Sequence, residues 1–266
     1  MPPTSTITQR LKEIFDEGRV ACLVTLVRAD KNVGAKLLID QSGESWGGFG
    51  DEELDGAVKQ NASSFLSSGE GTSAVTVSSF APELERWKEA QVMFERIESE
   101  PRLVICGAGH VGASLARLAA LTGYRATLID DRPEFLFRTS LPDETIQLVT
   151  ADNWYDSVRD AIGNGHGVSV AVVTRGHSED EECMRAVMTS EATYVGMIGS
   201  KRRTNIVLER LRQGGADEEK LKRVHAPVGL DIGAVTPEEV ALAIMAEIVA
   251  HRRGGEGGSL SSWRRK

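Results

Sequence analysis

Three glycines between residues 107 and 112 follow the apolar run LVIC in the order Gly-Ala-Gly-His-Val-Gly. In this spacing the first glycine permits a tight turn, the second lets a ligand approach the backbone, and the third lets the following helix pack closely. The N-terminus of that helix offers free N–H groups and a partial positive charge. The chemistry that the motif indicates is the binding of a phosphate group.

Two carboxylates and a histidine accompany the glycines. A second apolar run, RATLI, ends in Asp130 and Asp131, which could accept hydrogen bonds from ribose hydroxyls and repel the extra phosphate of NADP. His110 stands at the expected helix start, where it could contact an anion or serve only in capping and packing. This context predicts a nucleotide-type site, and the alternative is a tight turn that holds no ligand.

Two further loops follow predicted strands of the same sheet. Residues 174–177, Thr-Arg-Gly-His, come after SVAVV, and residues 199–203, Gly-Ser-Lys-Arg-Arg, come after TYVGMI. Because the carboxyl ends of parallel strands meet at one edge, both loops should join the glycine motif there. Lys and Arg in a first helical turn oppose the helix dipole, which an anion bound at that turn would explain. We expect a fourth loop, residues 225–234, to converge on the same crevice.

The predicted crevice combines backbone, cationic and carboxylate groups from these loops. Its residues are Gly107, Gly109, His110, Val111, Gly112, Asp130, Asp131, Arg132, Thr174, Arg175, Gly176, His177, Gly199, Ser200, Lys201 and Arg202. His177 and His225 are candidates for a general base. Neither has the spacing of a metal site, so we predict no metal and leave the catalytic residues open.

The elements that must position these loops alternate regularly from residue 102 onward. Apolar runs at RLVICG, RATLID, TIQLVT, SVAVVT and TYVGMIG, with helical stretches between them, predict a doubly wound, Rossmann-like parallel α/β sheet. A last helix should begin at Thr236 with a capping box completed by Glu239, and should end at RRGG.

The first part of the chain has a different pattern. Strands are predicted at ACLVTLVRA, GAKLLID, WGGFG, TSAVTV and VMFERI, with one helix over DEELDGAVKQNASSFLSS and a polar connection over APELERWKEAQ. We therefore predict a small α+β domain over residues 1–98, the Rossmann-like domain over 99–254, and a flexible tail over 255–266.

Composition excludes several classes of protein. The 266 residues carry a net charge of -8, which argues against broad nucleic-acid binding. No apolar run is long enough to span a membrane and the first residues lack the order of a secretory signal, so we expect a cytoplasmic protein. Three widely separated cysteines suggest reduced thiols, with Cys106 a buried small residue.

Long stretches of the second domain resemble a known family. LVICGAGHVGASLARLAALTGYRATLIDDRPEF, VVTRGHSEDEECMRAVM, YVGMIGSKRR and VHAPVGLDIGAVTPEEVALAIMAEIVAHRRG resemble the xanthine dehydrogenase accessory factors of XdhC/CoxI type. The first domain resembles that family more loosely. Where members often carry a cysteine after the first-domain glycines, this chain has GGFGDEEL.

The resemblance implies a maturation factor for a molybdenum hydroxylase of the xanthine or carbon monoxide dehydrogenase type. Such a factor would bind the molybdenum cofactor, a phosphate-bearing molybdopterin, support its sulfuration and deliver it. The implied partners are an apo molybdenum hydroxylase, a cysteine desulfurase and a second copy of the chain; NAD or FAD is a further cofactor candidate. Two alternatives stay open: an NAD(P)-binding oxidoreductase with His177 as proton donor, and a nucleotide-sensing regulatory protein.

Overall fold

The computed structural model describes residues 4–16, 19–68, 70–138 and 144–261. The chain divides into two compact units, Met1–Ser99 and Glu100–Lys266. Each unit is built around its own five-stranded sheet. The predicted fold class, a parallel α/β sheet preceded by a smaller α+β unit, is confirmed.

The first unit has an antiparallel sheet with the strand order β3-β2-β1-β5-β4. Its elements are α1 (Thr4–Asp16), β1 (Val20–Arg28), β2 (Lys36–Asp40), β3 (Ser45–Gly47), α2 (Glu52–Ser68), β4 (Thr72–Thr76) and β5 (Gln91–Glu98). Because side chains alternate along a strand, Cys22 and Val24 of β1 pack with α2, whereas Ala21 packs on the other face. Both faces of the sheet are therefore covered.

Helix α1 was not among the predicted elements. Its first half, TSTITQ, is poor in strong helix formers, although Ile7, Leu11 and Ile14 recur at the spacing of one helix face. Ile14 is fully buried in a cluster with Ala21 and Leu38. Burial of this face, rather than local propensity, accounts for the helix.

The predicted polar connection before β5 contributes to the core. It contains a 3-10 turn, Glu85–Trp87, in which Trp87 is buried. The indole Nε1 of Trp87 donates a hydrogen bond of 2.7 Å to Oδ2 of Asp51, and Oδ1 of Asp51 accepts from the first turn of α2. One buried carboxylate thus ties the connection to the start of α2.

The second unit has a parallel sheet with the strand order β10-β9-β6-β7-β8. Its strands are β6 (Arg102–Cys106), β7 (Arg125–Asp130), β8 (Ile146–Thr150), β9 (Val168–Val172) and β10 (Tyr194–Met197). Its helices are α3 (His110–Leu121), α4 (Pro133–Arg138), α5 (Trp154–Ile162), α6 (His177–Met188), α7 (Lys201–Gln213), α8 (Glu218–Lys222) and α9 (Pro237–Arg253).

The parallel sheet is covered by helices on both faces. Buried residues of α3 and α9 form the core on one face, and those of α5, α6 and α7 form it on the other. The strand order reverses between β6 and β9: β7 and β8 lie on one side of β6, whereas β9 and β10 lie on its other side. Ligands of such sheets bind at this reversal, beyond the carboxyl ends of the strands.

Helix α9 begins and ends as predicted. Thr236 accepts a hydrogen bond from the Glu239 amide while Glu239 bonds back to the Thr236 amide, and Gly254 closes the helix with φ of 71°. Of the predicted tail, the last five residues, 262–266, lie outside the described residues. No helix within the described ranges has the length and apolar character that crossing a bilayer requires.

Candidate functional site

The glycine motif forms the turn between β6 and α3. Gly107 has φ of 114°, and a Cβ there would lie 2.7 Å from the Val173 carbonyl oxygen. A Cβ on Gly112 would lie 1.8 Å from the Gly107 carbonyl oxygen. These two positions require glycine, whereas a Cβ on Gly109 would meet no atom within 4 Å. The middle glycine therefore faces open space where a ligand can approach the backbone.

The first turn of α3 offers amides beside this open space. The Ala113 amide bonds to the Gly109 carbonyl at 2.9 Å, but the amides of residues 110–112 find no acceptor among the described residues. His110 is exposed at the first helical position. Unpaired amides at a helix N-terminus suit a phosphate oxygen.

Asp130, one of the predicted ligand contacts, is bonded within the protein. Its side chain is 1% exposed, and Oδ2 accepts the Ala108 amide at 2.6 Å while Oδ1 accepts the Arg132 amide at 3.0 Å and Arg132 Nε at 2.8 Å. Burial alone would raise the pKa of Asp130, but the bonds from Arg132 and the Ala108 amide outweigh it and lower the pKa. Asp130 is thus a residue that holds the glycine loop in place.

Asp131 is bound by an arginine from another loop. Arg175 donates two parallel hydrogen bonds of 2.9 Å from Nη1 and Nη2 to its two carboxylate oxygens. Because β6 lies between β7 and β9, this pair joins the loops on either side of the glycine turn. The bond to Asp131 raises the pKa of Arg175, which keeps the guanidinium charged.

A buried ion pair beneath the crevice was not predicted from the sequence. Asp180 is completely buried; Oδ1 accepts the Thr174 hydroxyl at 2.5 Å and Oδ2 accepts Arg203 Nε at 2.8 Å. Burial raises the pKa of Asp180 in spite of these bonds. The Thr174 hydroxyl therefore donates to Asp180, and Arg203 connects α7 to α6 through the same carboxylate.

The exposed cations of the third loop stand at the start of α7. Ser200 caps the helix by accepting the Arg203 amide at 3.2 Å. Lys201 and Arg202 are exposed, and no carboxylate within the described ranges pairs with either of them. Their placement at the positive end of a helix is unfavourable unless an anion binds there, so the structure keeps both as candidates. His177 is likewise exposed, at the first position of α6.

His225, the first residue of the fourth loop, lies beside β10 rather than at the glycine turn. Its amide bonds to the Val195 carbonyl and its carbonyl accepts the Met197 amide, each at 2.9 Å, so it extends the sheet beside β10. Its ring contacts Tyr194, the first residue of β10, at the end of the strand away from the glycine turn. The segment after His225 continues toward the carboxyl end of β10, where the Val228 amide bonds to the Met197 carbonyl at 3.0 Å, so the later residues of the fourth loop stay candidates for the crevice.

The GGFG segment of the first unit contains no cysteine, and its phenylalanine is part of the core. Phe49, within the GGFG segment, is 1% exposed and belongs to the core cluster that packs with α2. Its amide donates to Asp55 Oδ1 at 2.8 Å. All three cysteines of the chain are buried and unpaired by disulfides, and the described residues include no cluster of three His, Cys, Asp or Glu side chains that could hold a metal ion.

Both units of the chain match known protein families. A family model of the XdhC Rossmann domain matches residues 103–248, which is more than half of the chain. The chain belongs to the XdhC family. A second model, of the XdhC and CoxI family, matches residues 14–78 in the first unit. The glycine turn and all the other crevice loops lie within the XdhC Rossmann domain match.

Two curated relatives match part of the chain at moderate identity. YqeB of Escherichia coli, an uncharacterized protein, is 34% identical over 158 residues, which are 59% of this chain and 28% of YqeB. A probable xanthine dehydrogenase subunit of Bacillus subtilis is 32% identical over 162 residues, which are 61% of this chain and 46% of that protein. The chain spans less than half the length of these curated relatives.

A solved structure supports the fold of the XdhC chain. A crystal structure described as a xanthine dehydrogenase from Bacillus halodurans has a TM-score of 0.64 at 20% identity, covering 94% of this chain and 67% of that one. The similarity extends across both units.

Proposed function

We propose that this XdhC-family chain is a maturation factor for a molybdenum hydroxylase. It would hold the molybdenum cofactor by its phosphate at the carboxyl edge of the parallel sheet. The observation that carries the proposal is that unbonded amides at residues 110–112 and unpaired cations at Lys201 and Arg202 both lie at helix starts along the carboxyl edge of the parallel sheet. Membership of the XdhC family and the name of the Bacillus subtilis relative support it.

The residues present fit a phosphate-bearing ligand. The open approach at Gly109 exposes the amides of the first α3 turn, and Ser200 and Lys201 offer a second helix start for an anion. When bound, the cofactor carries the molybdenum centre that the client enzyme needs. The chain's own residues bind and orient it through backbone donors, which need no rearrangement to meet the phosphate.

The pair formed by Arg175 and Asp131 would control access to the glycine turn. It joins the loops on both sides of the turn, and both partners are partly exposed. Arg175 also lies 3.4 Å from Glu179, and a ligand phosphate could take the place of the Asp131 carboxylate because it offers the same planar pair of oxygens with more negative charge. We expect Arg175 to exchange Asp131 for the ligand as the ligand enters.

The proposed partners follow from this role. An apo molybdenum hydroxylase would receive the cofactor, a cysteine desulfurase would supply sulfur for it, and a second copy of the chain would form a homodimer. Because Phe49 fills the core where family members often carry a cysteine nearby, sulfur would reach the cofactor without a thiol from the GGFG segment.

A second candidate function is the binding of NAD or FAD, which the spacing of Gly107, Gly109 and Gly112 favours. In an oxidoreductase, His177 at the start of α6 would be the proton donor. Of the two carboxylates that could accept the ribose hydroxyls, Asp130 is buried and bonded within the protein, whereas Asp131 is partly exposed and paired with Arg175. Calorimetric titration with NAD and NADH tests it; absence of binding at millimolar concentration removes it.

The main proposal is tested by purifying the full chain from a molybdenum-replete host and measuring the fluorescence of the oxidised pterin that it releases. Pterin should accompany the wild-type chain and be lost from a Gly109→Val variant that melts at the same temperature. If wild-type chain carries no pterin and takes none up from a molybdopterin-containing donor enzyme, the chain does not hold this cofactor.

A further inference from the structure

A second cleft lies at the opposite, amino end of the parallel sheet in the second unit. It encloses about 560 Å³ and is bounded by Thr193 and Tyr194 at the start of β10 and by His166 just before β9. Three of the chain's five histidines line it. The remaining lining cations are Lys220, Lys222 and Arg223, in and after α8.

His225 is fixed at the wall of this cleft by its backbone. Besides its two bonds to β10, the segment that follows packs closely on the strand, since a Cβ on Gly196 would lie 2.4 Å from a methyl carbon of Val228. The His225 ring lies 4.6 Å from the Tyr194 ring, at 31° to it. These contacts hold the His225 imidazole at the wall of the cleft.

Glu247 of α9 orients the imidazole from behind. Its Oε1 lies 2.6 Å from Nδ1 of His225, and its Oε2 accepts the Gly229 amide. Glu247 is not among the residues that line the cleft. With Nδ1 engaged by Glu247, Nε2 is the ring nitrogen of His225 left to face the cleft.

The other groups facing His225 leave positive charge available in the cleft. Burial raises the pKa of Tyr194 and the charge of Glu247 raises it further, so the phenol is neutral. Burial, and then the positive charge of His225, lower the pKa of His251 despite Glu247, so this ring is neutral as well. His166 completes the imidazoles of the wall.

Only part of the remaining charge is compensated. The Lys220 ammonium donates hydrogen bonds to the Met188 and Ser190 carbonyls and to Glu191. Glu191 is the one carboxylate among the described residues that line the cleft. Lys222 pairs with Glu219 at 2.7 Å. Arg223 is exposed and has no carboxylate within ion-pair distance in the described chain. His225 and Arg223 thus remain available as donors to an anion in the cleft.

We infer that this cleft, which we call the His225 cleft, is a second ligand site that binds a small phosphate-bearing molecule. Nε2 of His225 and the guanidinium of Arg223 would donate to the phosphate, and the neutral Tyr194 and His251 rings would pack beside it. The site is separate from the crevice at the glycine turn and does not depend on the function proposed for that crevice.

The histidines of the second unit allow each site to be observed separately. His110 and His177 lie at the starts of α3 and α6 and report the crevice, whereas His166, His225 and His251 report the His225 cleft. The experiment is a titration of the full chain with inorganic phosphate at constant ionic strength, followed by NMR of the imidazole resonances. Single histidine-to-glutamine variants assign the five signals.

The inference predicts that the signals of His225 and His251 shift and reach saturation. Arg223→Gln, at an exposed position that should not affect folding, should weaken this binding about tenfold, as loss of a charged hydrogen bond does. Lys222→Gln is the matched control, because its ammonium is already paired, and it should leave the affinity within twofold. Lys201→Ala should change only the signals of His110 and His177.

Two results would overturn the inference. One is that phosphate leaves the His225 and His251 signals in place, or moves them without saturation. The other is that Arg223→Gln and Lys222→Gln weaken the response equally, since that would indicate general attraction of anions to a basic surface. Neither result bears on ligand binding at the glycine turn, because the signals of His110 and His177 report binding in that crevice independently.

Discussion

Gly109 and Lys201 are the two residues of the crevice that can be changed without disturbing the packing beneath them. No atom lies within 4 Å of the position that a Gly109 Cβ would take, and Lys201 is exposed in the first turn of α7. Their neighbours differ, since Gly107 and Gly112 are enclosed by backbone. Variants at these positions can therefore separate binding from folding.

Gly109→Val should abolish binding of the phosphate-bearing ligand while leaving the melting temperature within about 2 °C of the wild type, which corresponds to about 0.5–1 kcal/mol. The isopropyl group would occupy the open approach to the amides of α3. Gly112→Ala is the contrasting variant, because its methyl group would clash with the Gly107 carbonyl and lower the melting temperature. Thermal unfolding and ligand binding measured on both variants check the expectation; a Gly109→Val chain that binds normally would contradict it.

Lys201→Ala should weaken an anionic ligand about fivefold at low ionic strength and less at high salt, because the ammonium is exposed and screened. Binding of a neutral ligand should not change. Lys12→Ala, at an exposed lysine of α1, is the control for the loss of one positive charge. Equal affinity in wild-type and Lys201→Ala chains would show that this basic turn does not contact the ligand.

Asp130→Asn should destabilise the chain by about 2 kcal/mol at neutral pH, since the amide cannot accept both the Arg132 and Ala108 bonds as a charged group does. The folded pKa of Asp130 is lowered, so its contribution is fully present above the unfolded pKa of about 3.9 and is lost as pH falls through the folded value. Denaturant unfolding should therefore show a difference between variant and wild type that shrinks below pH 4. A difference that persists unchanged would assign another cause.

Helices α6 and α7 are joined both by a buried ion pair and by an exposed one. Asp180 and Arg203 form the buried pair, whereas Glu181 and Arg210 form the exposed pair between the same helices at 3.2 Å. Removing one partner of a buried pair leaves an uncompensated charge, so Asp180→Ala and Arg203→Ala should each cost about 3 kcal/mol.

A double-mutant cycle checks this expectation. The Asp180→Ala, Arg203→Ala double variant should lose clearly less than the sum of the single losses, because neither charge is then left unpaired. The cycle on Glu181 and Arg210 should give a coupling of about 0.5 kcal/mol. Equal couplings for the two pairs would contradict the assignment of Asp180 and Arg203 as the buried connection.

The order of the elements was predictable because each strand of the second unit is a short apolar run and most of the loops that follow contain glycine. The sequence did not predict which residues of these loops are bonded within the protein and which are left exposed. Asp130 and Asp131 are adjacent, and neighbouring side chains of a strand point to opposite sides, so only the register of β7 decides which one turns inward. Likewise Arg203 follows Lys201 and Arg202 in one basic run, but only Arg203 reaches the buried Asp180. Helix α1 was not predicted because it is stabilised by burial of its apolar face in the core, which its own sequence does not show.

The crevice and the His225 cleft are the two anion sites proposed for the second unit, at opposite ends of its parallel sheet. The crevice lies beyond the carboxyl ends of β6 and β9, where strand order reverses, and the His225 cleft lies at the amino end of β10. The chain is acidic overall, with a net charge of -8, yet both sites retain exposed cations that no described carboxylate pairs with. Such local positive charge in an acidic protein indicates specific binding of small anions rather than a broad electrostatic surface.

The central claim is that the chain matures a molybdenum hydroxylase by binding its cofactor at the glycine turn. The most direct measurement is hydroxylase activity in a strain that lacks this chain and is complemented with either the wild type or the folded Gly109→Val variant, with hydroxylase protein levels held equal. We expect the wild-type chain to restore hydroxylase activity and the Gly109→Val chain to leave the hydroxylase inactive. Equal activity with the wild type, with Gly109→Val and with no chain at all would contradict it.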